Sequence, residues 1–419
     1  MTVTADRATR EAGEAWTYRR VLRGGRLPVF LAGDLVSNLG DGMLLSALPL
    51  LALRVRGETS AAVAVSLVES APYVLGTAFA FAVGLSKARI PPRALVVCDC
   101  LLRSALFTGL GVLALCDRLT LVPLVLALLC GSVLRMTALS SRRLIATAQV
   151  DPAGRLAVNS LLGTTSNLAL YAAGPFLGGV LAAATEPGWA LVFDGVSFLV
   201  LLGAVRLAVP PRAGSVEGTT LPASGWSVLG RVPVAARLFV VVFCFNLFYM
   251  PVEVALPLLV DGGLGGSGTA LGVIWGGFGV GALVGAMATN ALRALPQQRL
   301  LVGVIALWAL VPGLLALAPS VPVAAVVFFV GGVVYAPFVP VVYTFVQSVL
   351  DPAEQQPVLT LWAAGSALAG PVGLLLAGPL VVAAGTRGAL LVSTLLTLAL
   401  VPLAGARLRD RRSVPAPRT

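Results

Sequence analysis

The sequence predicts an all-α integral membrane protein with twelve transmembrane helices in two pseudo-symmetric six-helix halves. Three observations carry this. Of 419 residues, 58% are hydrophobic and 11% are charged, whereas a soluble domain has about 25% charged residues. Apolar runs of about 20 residues, the length needed to cross about 30 Å of hydrocarbon, recur along the chain. Segments of the first half also return in the second. So little charge cannot cover a water-facing surface, which excludes a soluble enzyme, a disordered scaffold and a nucleic-acid binder.

Six runs, 27–53, 61–84, 94–116, 119–140, 157–183 and 189–210, follow a polar N-tail, 1–26. Short connections make neighbours antiparallel. The stretch 211–235, with Pro211, Gly214, Gly218, Pro222 and Pro233, reads as a flexible cytoplasmic linker between the halves 27–210 and 236–406. Six more runs, 236–260, 268–292, 300–318, 321–346, 358–384 and 388–406, precede the C-tail 407–419. The first run is too long for a signal-peptide core, so no cleavage is expected.

Basic residues set the orientation, because cytoplasmic loops are enriched in them. With the N-terminus inside, 24 of the 29 fall on inner segments. Arg54, Arg56, Arg118 and Arg387 are outside, and Arg103 lies within a run. The net charge of +11 is thus a topology signal. Both termini are expected in the cytoplasm.

Asn38 and Ala47-Leu48-Pro49-Leu50-Leu51 are matched 208 residues later by Asn246 and Ala255-Leu256-Pro257-Leu258-Leu259. Asp151-Pro152-Ala153 and Gly174-Pro175 have counterparts in Asp351-Pro352-Ala353 and Gly370-Pro371. Two such parallel repeats place a substrate site at their interface near mid-membrane.

A charged group at mid-bilayer costs about 2.5–3.5 kcal/mol, so each demands a reason. Asp34, Asn38 and Asp41 fall within about 60° of one helix face. Asn246 and Glu253 share a face of the seventh run. Asp34, Asp41 and Glu253 are the proton-coupling candidates, against a reading of local pairing, helix capping or an outer-gate hydrogen bond. Asp99 and Arg103, four residues apart, read as a local ion pair. Arg135 reads either as a partner for Asp34 or as a residue snorkelling to the interface. Asp194, near the start of the sixth run, suits the helix dipole there. Glu69 stands alone. Gly277, Gly281 and Gly285 form a small-residue stripe for close helix packing. Phe243, Tyr249, Tyr335 and Phe338 join Asn38 and Asn246 as candidate cavity residues, with lipid contact or packing as the alternative. Cys98, Cys100, Cys116, Cys130 and Cys244 have no paired spacing and read as apolar fillers. Histidine is absent, so proton chemistry falls to carboxylates. Neither metal nor cofactor is expected.

The motifs resemble those of the major facilitator superfamily over essentially the whole chain. Gly174-Pro175, Gly178 and Gly179 match the core of its antiporter motif, which implies an exporter and a hinge or proton seal. Asp34, Ser37, Asn38, Gly40 and Asp41, together with Phe193, Asp194, Ser197 and Phe198, are similar to enterobactin-exporter-like and macrolide-efflux-like members. Gly84, Arg89 and Arg93 fit the gating loop between the second and third helices, while Ala88 and Pro92 depart from it. Gln355-Gln356-Pro357 stands where relatives carry Gly-Arg. The resemblance puts helices 1, 4, 7 and 10 along the cavity. It implies a proton-coupled antiporter exporting small apolar or amphipathic molecules (a drug, natural product or siderophore) by alternating access. The expected partners are substrate, protons and the lipid bilayer, with no nucleic acid, for a monomer in the bacterial cell membrane. An importer, symporter or lipid transporter of the same fold is the alternative, and a membrane-embedded enzyme or sensor a remote one.

Overall fold

Within hydrocarbon every backbone N–H and C=O must find a partner inside the protein, so an apolar run of this length becomes a helix. The computed structural model describes residues 21–22, 25–85, 91–151, 154–209, 225–266, 268–289, 295–350 and 352–406. Helix is the only regular structure among them. Eleven stretches of the described residues are long and apolar enough to span a bilayer. The last contains Gly385 at φ +73°, a left-handed turn that splits it into two helices. A single glycine here closes a hairpin, because a side chain is strained in that conformation.

The helices are α1 (Leu27–Val55), α2 (Ala61–Leu85), α3 (Pro92–Leu115), α4 (Leu121–Thr147), α5 (155–184), α6 (Gly188–Ala208), α7 (233–263), α8 (Gly268–Thr289), α9 (Gln297–Leu317), α10 (321–349), α11 (352–384) and α12 (386–405). Each coincides with one predicted run. Val122, Leu207, Met287 and Leu395 are exposed, as lipid-facing side chains must be.

The chain forms two compact units. The first comprises 1–59, 71–218 and 267–279. Its helices approach through glycine. Gly33 meets Ala204 and Leu201 of α6, and Gly111 of α3 and Gly195 of α6 fill the α3–α6 contact. Gly42 of α1 faces Gly174 of α5, Gly178 faces the Met43 backbone, and Gly179 faces Gly272 of α8. Gly272, Gly276 and Gly279 together lay one face of α8 on α5. Pro175 has no N–H for the Tyr171 carbonyl. The ladder adjusts by one wide π-turn, Ala169–Ala173, in which the Gly174 amide reaches the Ala169 carbonyl. The Ser46 hydroxyl of α1 donates to the Pro175 carbonyl at 2.8 Å.

The second unit comprises 60–70, 219–266 and 280–419. Of the predicted α8 stripe, Gly281 and Gly285 meet the carbonyls of Phe329 and Val333 on α10. Gly373 of α11 meets Leu247 and Met250 of α7, and Gly378 meets Ala62 and Ser66 of α2. The Ser66 hydroxyl donates to the Leu374 carbonyl of α11.

Both repeats are interrupted, though not at the same residue: α4 breaks at Val133 and Leu134, and α10 breaks about one turn later in the repeat, at Ala336 and Pro337. Gly131 lies against Phe107 of α3, as Gly331 lies against Trp308 of α9.

A methyl group distinguishes seam glycines from open ones. Alanine is about 1 kcal/mol better than glycine in a helix. Overpacking a tight contact costs about 1–3 kcal/mol. Gly178→Ala, which pushes a Cβ into the Met43 backbone, is expected to lower the melting temperature of the purified protein. Gly203→Ala, whose Cβ meets open space, is expected to leave it unchanged or raise it.

Candidate functional site

One face of α1 carries Asp34, Ser37, Asn38 and Asp41, all buried in the first unit. Asp99 and Arg103 arrive from α3, Arg135 and Arg142 from α4, and Asp194 and Ser197 from α6. Arg103 donates to Oδ1 of Asp41, and Arg135 lies 3.8 Å from the same oxygen. Arg142 is forked. Its Nη1 is 3.4 Å from Oδ1 of Asp34 and from Oγ of Ser37, and its Nη2 is 3.4 Å from Oδ2 of Asp99. The Asn38 amide donates to Oδ2 of Asp34 at 2.9 Å and to Ser166 of α5 at 3.2 Å.

Aromatic rings cover the guanidinium groups, a favourable cation–π arrangement. Arg103 stands 4.1 Å over Phe198 and 5.1 Å from the Phe107 centroid. Arg135 stands 4.5 Å over Tyr73. Asp194 takes part differently. Its Oδ1 is 3.3 Å from the Ser197 hydroxyl, while its Oδ2 is buried without a hydrogen-bond partner. It also abuts Gly40 of α1, where a side chain would displace it. Four carboxyl groups therefore share three guanidinium groups. With all of them ionised, one negative charge is left over.

These contacts revise two sequence expectations. Asp99 and Arg103 do not form the expected local salt bridge: Arg103 reaches Asp41 and Asp99 is held by Arg142. Arg135 is beside Asp41, and the partner of Asp34 is Arg142. Asp194 lies near the start of α6, as expected, and is fully buried there. Arg142, which sequence reasoning assigned to a cytoplasmic loop, is the hub. Its signal was the amphipathic stretch Arg135–Thr147, where Ser141 and Arg142 share a buried face.

In the second unit Tyr249 donates a hydrogen bond to Glu253, one turn further along α7. Tyr249 packs 5.5 Å from Trp308 of α9, which is 5.3 Å from Tyr335 of α10. Phe338 is stacked 4.2 Å from Phe245, and both are buried, whereas Phe243, Tyr249 and Tyr335 are half-buried. Asn246 donates to the Val242 carbonyl of its own helix at 2.8 Å. Gly84 lies in α2, while Arg89 falls outside the described residues.

Residues 91–414 match the transmembrane secretion effector family, a branch of the major facilitator superfamily. The chain belongs to this family. It is 27% identical to the multidrug efflux pump Tap of Mycolicibacterium fortuitum over 411 residues, covering 92% of this chain and 97% of that one. Solved structures share the fold. The nucleoside transporter NupG superposes with a TM-score of 0.71 at 12% identity, covering 90% of this chain and 98% of that one. A bacterial homologue of the human lysosomal transporter Spinster gives 0.68 at 14% identity, covering 91% and 95%. The human organic anion transporter MFSD10 gives 0.62 at 18%, covering 92% and 99%. This secretion-effector chain is thus a multi-pass membrane transporter of small molecules, not an enzyme.

Removing one partner of a buried ion pair costs about 3–5 kcal/mol, because the other charge is stranded. Arg142→Met is therefore expected to lower the melting temperature of this transporter sharply. Adding Asp34→Asn should recover part of the loss, and adding Asp99→Asn should recover more. Thermal unfolding of the purified variants in detergent checks the order.

Proposed function

We propose that this protein is a proton-coupled exporter of small amphipathic molecules in the bacterial cell membrane. It works as a monomer by alternating access, with both termini in the cytoplasm. The observation that carries the reading is the imbalance of four buried carboxyl groups against three guanidinium groups on α1, α3, α4 and α6. A proton is the smallest ion that removes the surplus charge. Buried ion pairs respond steeply to its loss or gain, because burial penalises any uncompensated charge.

Asp41 and Asp34 are the coupling residues in this scheme. A proton on Asp41 weakens its attraction to Arg103 and Arg135 and loosens α1 from α3 and α4. A proton on Asp34 does the same to Arg142. Asp194, with no arginine bridging it, is where the proton rests when both pairs are closed. Glu253 is the half-buried carboxylate of α7, held by Tyr249. The Gly174-Pro175 segment supports the exporter direction by its motif, and the likeness to a protein named as a multidrug efflux pump agrees with it. The distribution of basic residues supports the orientation. A membrane potential supplies about 2.3 kcal/mol per charge per 100 mV, enough to drive uphill export.

The test is efflux from proteoliposomes loaded with fluorescent amphiphiles, ethidium and rhodamine 6G. Efflux by the wild-type protein is expected to accelerate when the compartment receiving the substrate is acidified. The Asp34→Asn/Asp41→Asn variant is expected to lose that acceleration. Gradient-dependent efflux by the double variant at the wild-type rate would remove the two residues from the scheme. Transport in the same direction as the proton gradient would replace antiport with symport.

A further inference from the structure

Arg103 passes over the acid closest to it in sequence. Asp99 stands four residues earlier on α3, the spacing at which an acid and a base meet on one helix face. Its Oδ2 is held by Arg142 at 3.4 Å, but its Oδ1 has no hydrogen-bond partner. Arg103 crosses instead to Asp41 of α1, and its own Nε is left without a partner. All three residues are buried, so water does not compete for any of them. Charge alone does not choose between two buried aspartates.

Two phenylalanines supply the bias. The Arg103 guanidinium carbon lies 4.1 Å over the ring of Phe198 on α6 and 5.1 Å from the centroid of Phe107 on its own helix. The two rings meet edge to face, with centroids 6.3 Å apart at 70°, and so form a corner around the guanidinium. The negative face of a ring attracts a cation, more strongly where water is excluded. Arg142 is 5.8 Å from the same Phe198 ring.

Neither ring has room to move aside. Phe198 is fully buried. Three residues before it, Gly195 lays α6 so close on α3 that a Cβ there would run into the Thr108 backbone and the Ser104 carbonyl. Phe107 is buried as well, with its edge on Gly131 of α4. The corner is therefore set by helix packing, and the guanidinium takes the position that the corner allows.

We infer that Phe198, backed by Phe107, is a positioning residue: it turns Arg103 away from Asp99 and across to Asp41, and so sets the pH at which Asp41 takes its proton. Without the ring face, Arg103 falls back to the open oxygen of Asp99. Asp41 then keeps only Arg135, 3.8 Å away. A carboxylate with less compensation takes a proton at higher pH. The other ionisable groups around this network are Asp34 of α1, Cys100 of α3, Arg142 of α4, Asp194 of α6 and Tyr73 of α2, which lies under Arg135. α5 and α8 bring no charged residue within 156–184 and 268–289. The assignment deepens the exporter scheme and rests on it for the role given to Asp41.

Ring electronics separate this role from packing. Fluorine drains negative charge from a ring face and leaves its shape nearly unchanged. The purified full-length protein is titrated in detergent, and the infrared band of the protonated carboxyl group that is lost in Asp41→Asn is followed against pH. Gradient-driven efflux from proteoliposomes gives a second pH profile. Mono-, di- and trifluorophenylalanine at position 198 are expected to move both midpoints stepwise toward alkaline pH, by about half a unit or more at the last step. Phe198→Leu is expected to move them in the same direction in one step. In an Asp99→Asn background, where Arg103 has no competing acid on its own helix, the same changes are expected to have less than about half the effect. Unmoved midpoints across the fluorinated series, an equal shift with and without Asp99, or an Asp41 band that does not titrate overturns the assignment. If a leucine or asparagine variant unfolds, the fluorinated series and the efflux midpoint decide. A shifted infrared midpoint with efflux indifferent to the gradient would overturn the exporter scheme and keep the assignment. Gradient-driven efflux with an unmoved infrared midpoint would do the reverse.

Discussion

A charge buried among apolar helices must be neutralised within a few ångströms, and this requirement fixes the first unit. Lipid tails are as apolar as leucine, so apolar contact alone gives two membrane helices little reason to prefer one register. Charge pairs are directional. Arg142 of α4 engages α1 and α3 together, and Arg103 of α3 engages α1. Sliding any one of these helices by a turn would strand several charges. The same network that sets the register is therefore the part most sensitive to a proton.

The fold was legible because length and apolarity decide membrane spans one at a time. All twelve runs correspond to helices, and even the hairpin between α11 and α12 sits where the gap between two runs was placed. Pairing was far less legible. Asp99 and Arg103 have the spacing of a local pair, and within an isolated helix that spacing would decide the matter. In the bundle each side chain instead meets a stronger partner on another helix. Arg142 stood next to Arg143 in a polar stretch and resembled a loop-flanking base. Only the rotation of α4 shows that Arg142 turns inward while Arg143 faces out. Aromatic residues were ambiguous for a related reason: sequence lists them but not which face they occupy. Phe338 and Phe245 prove to be buried against each other, while Tyr249 and Tyr335 keep part of their surface open.

The two halves show how one backbone plan can serve different chemistry. α4 and α10 are both interrupted, about one turn apart in the repeat, and set a glycine against α3 and α9 in the same way. Equivalent positions then diverge in content. The first half places arginines and aspartates around α1, and the second places tyrosines, a tryptophan and one glutamate, Glu253, around α7. Small residues and backbone contact bring the helices close in both halves, while in the first half the charge pairs add the register.

The contact of α1, α5 and α8 around Gly42, Gly174, Gly178, Gly179 and Gly272 is made of main chain against main chain. Such a joint has no rotamers to re-sort when one helix slips along another. It behaves like a dry bearing: close-fitting and indifferent to small axial steps. For the same reason it has almost no spelling freedom. Any other residue adds bulk on the running surface, so each of these glycines is far costlier to replace than the open ones such as Gly203.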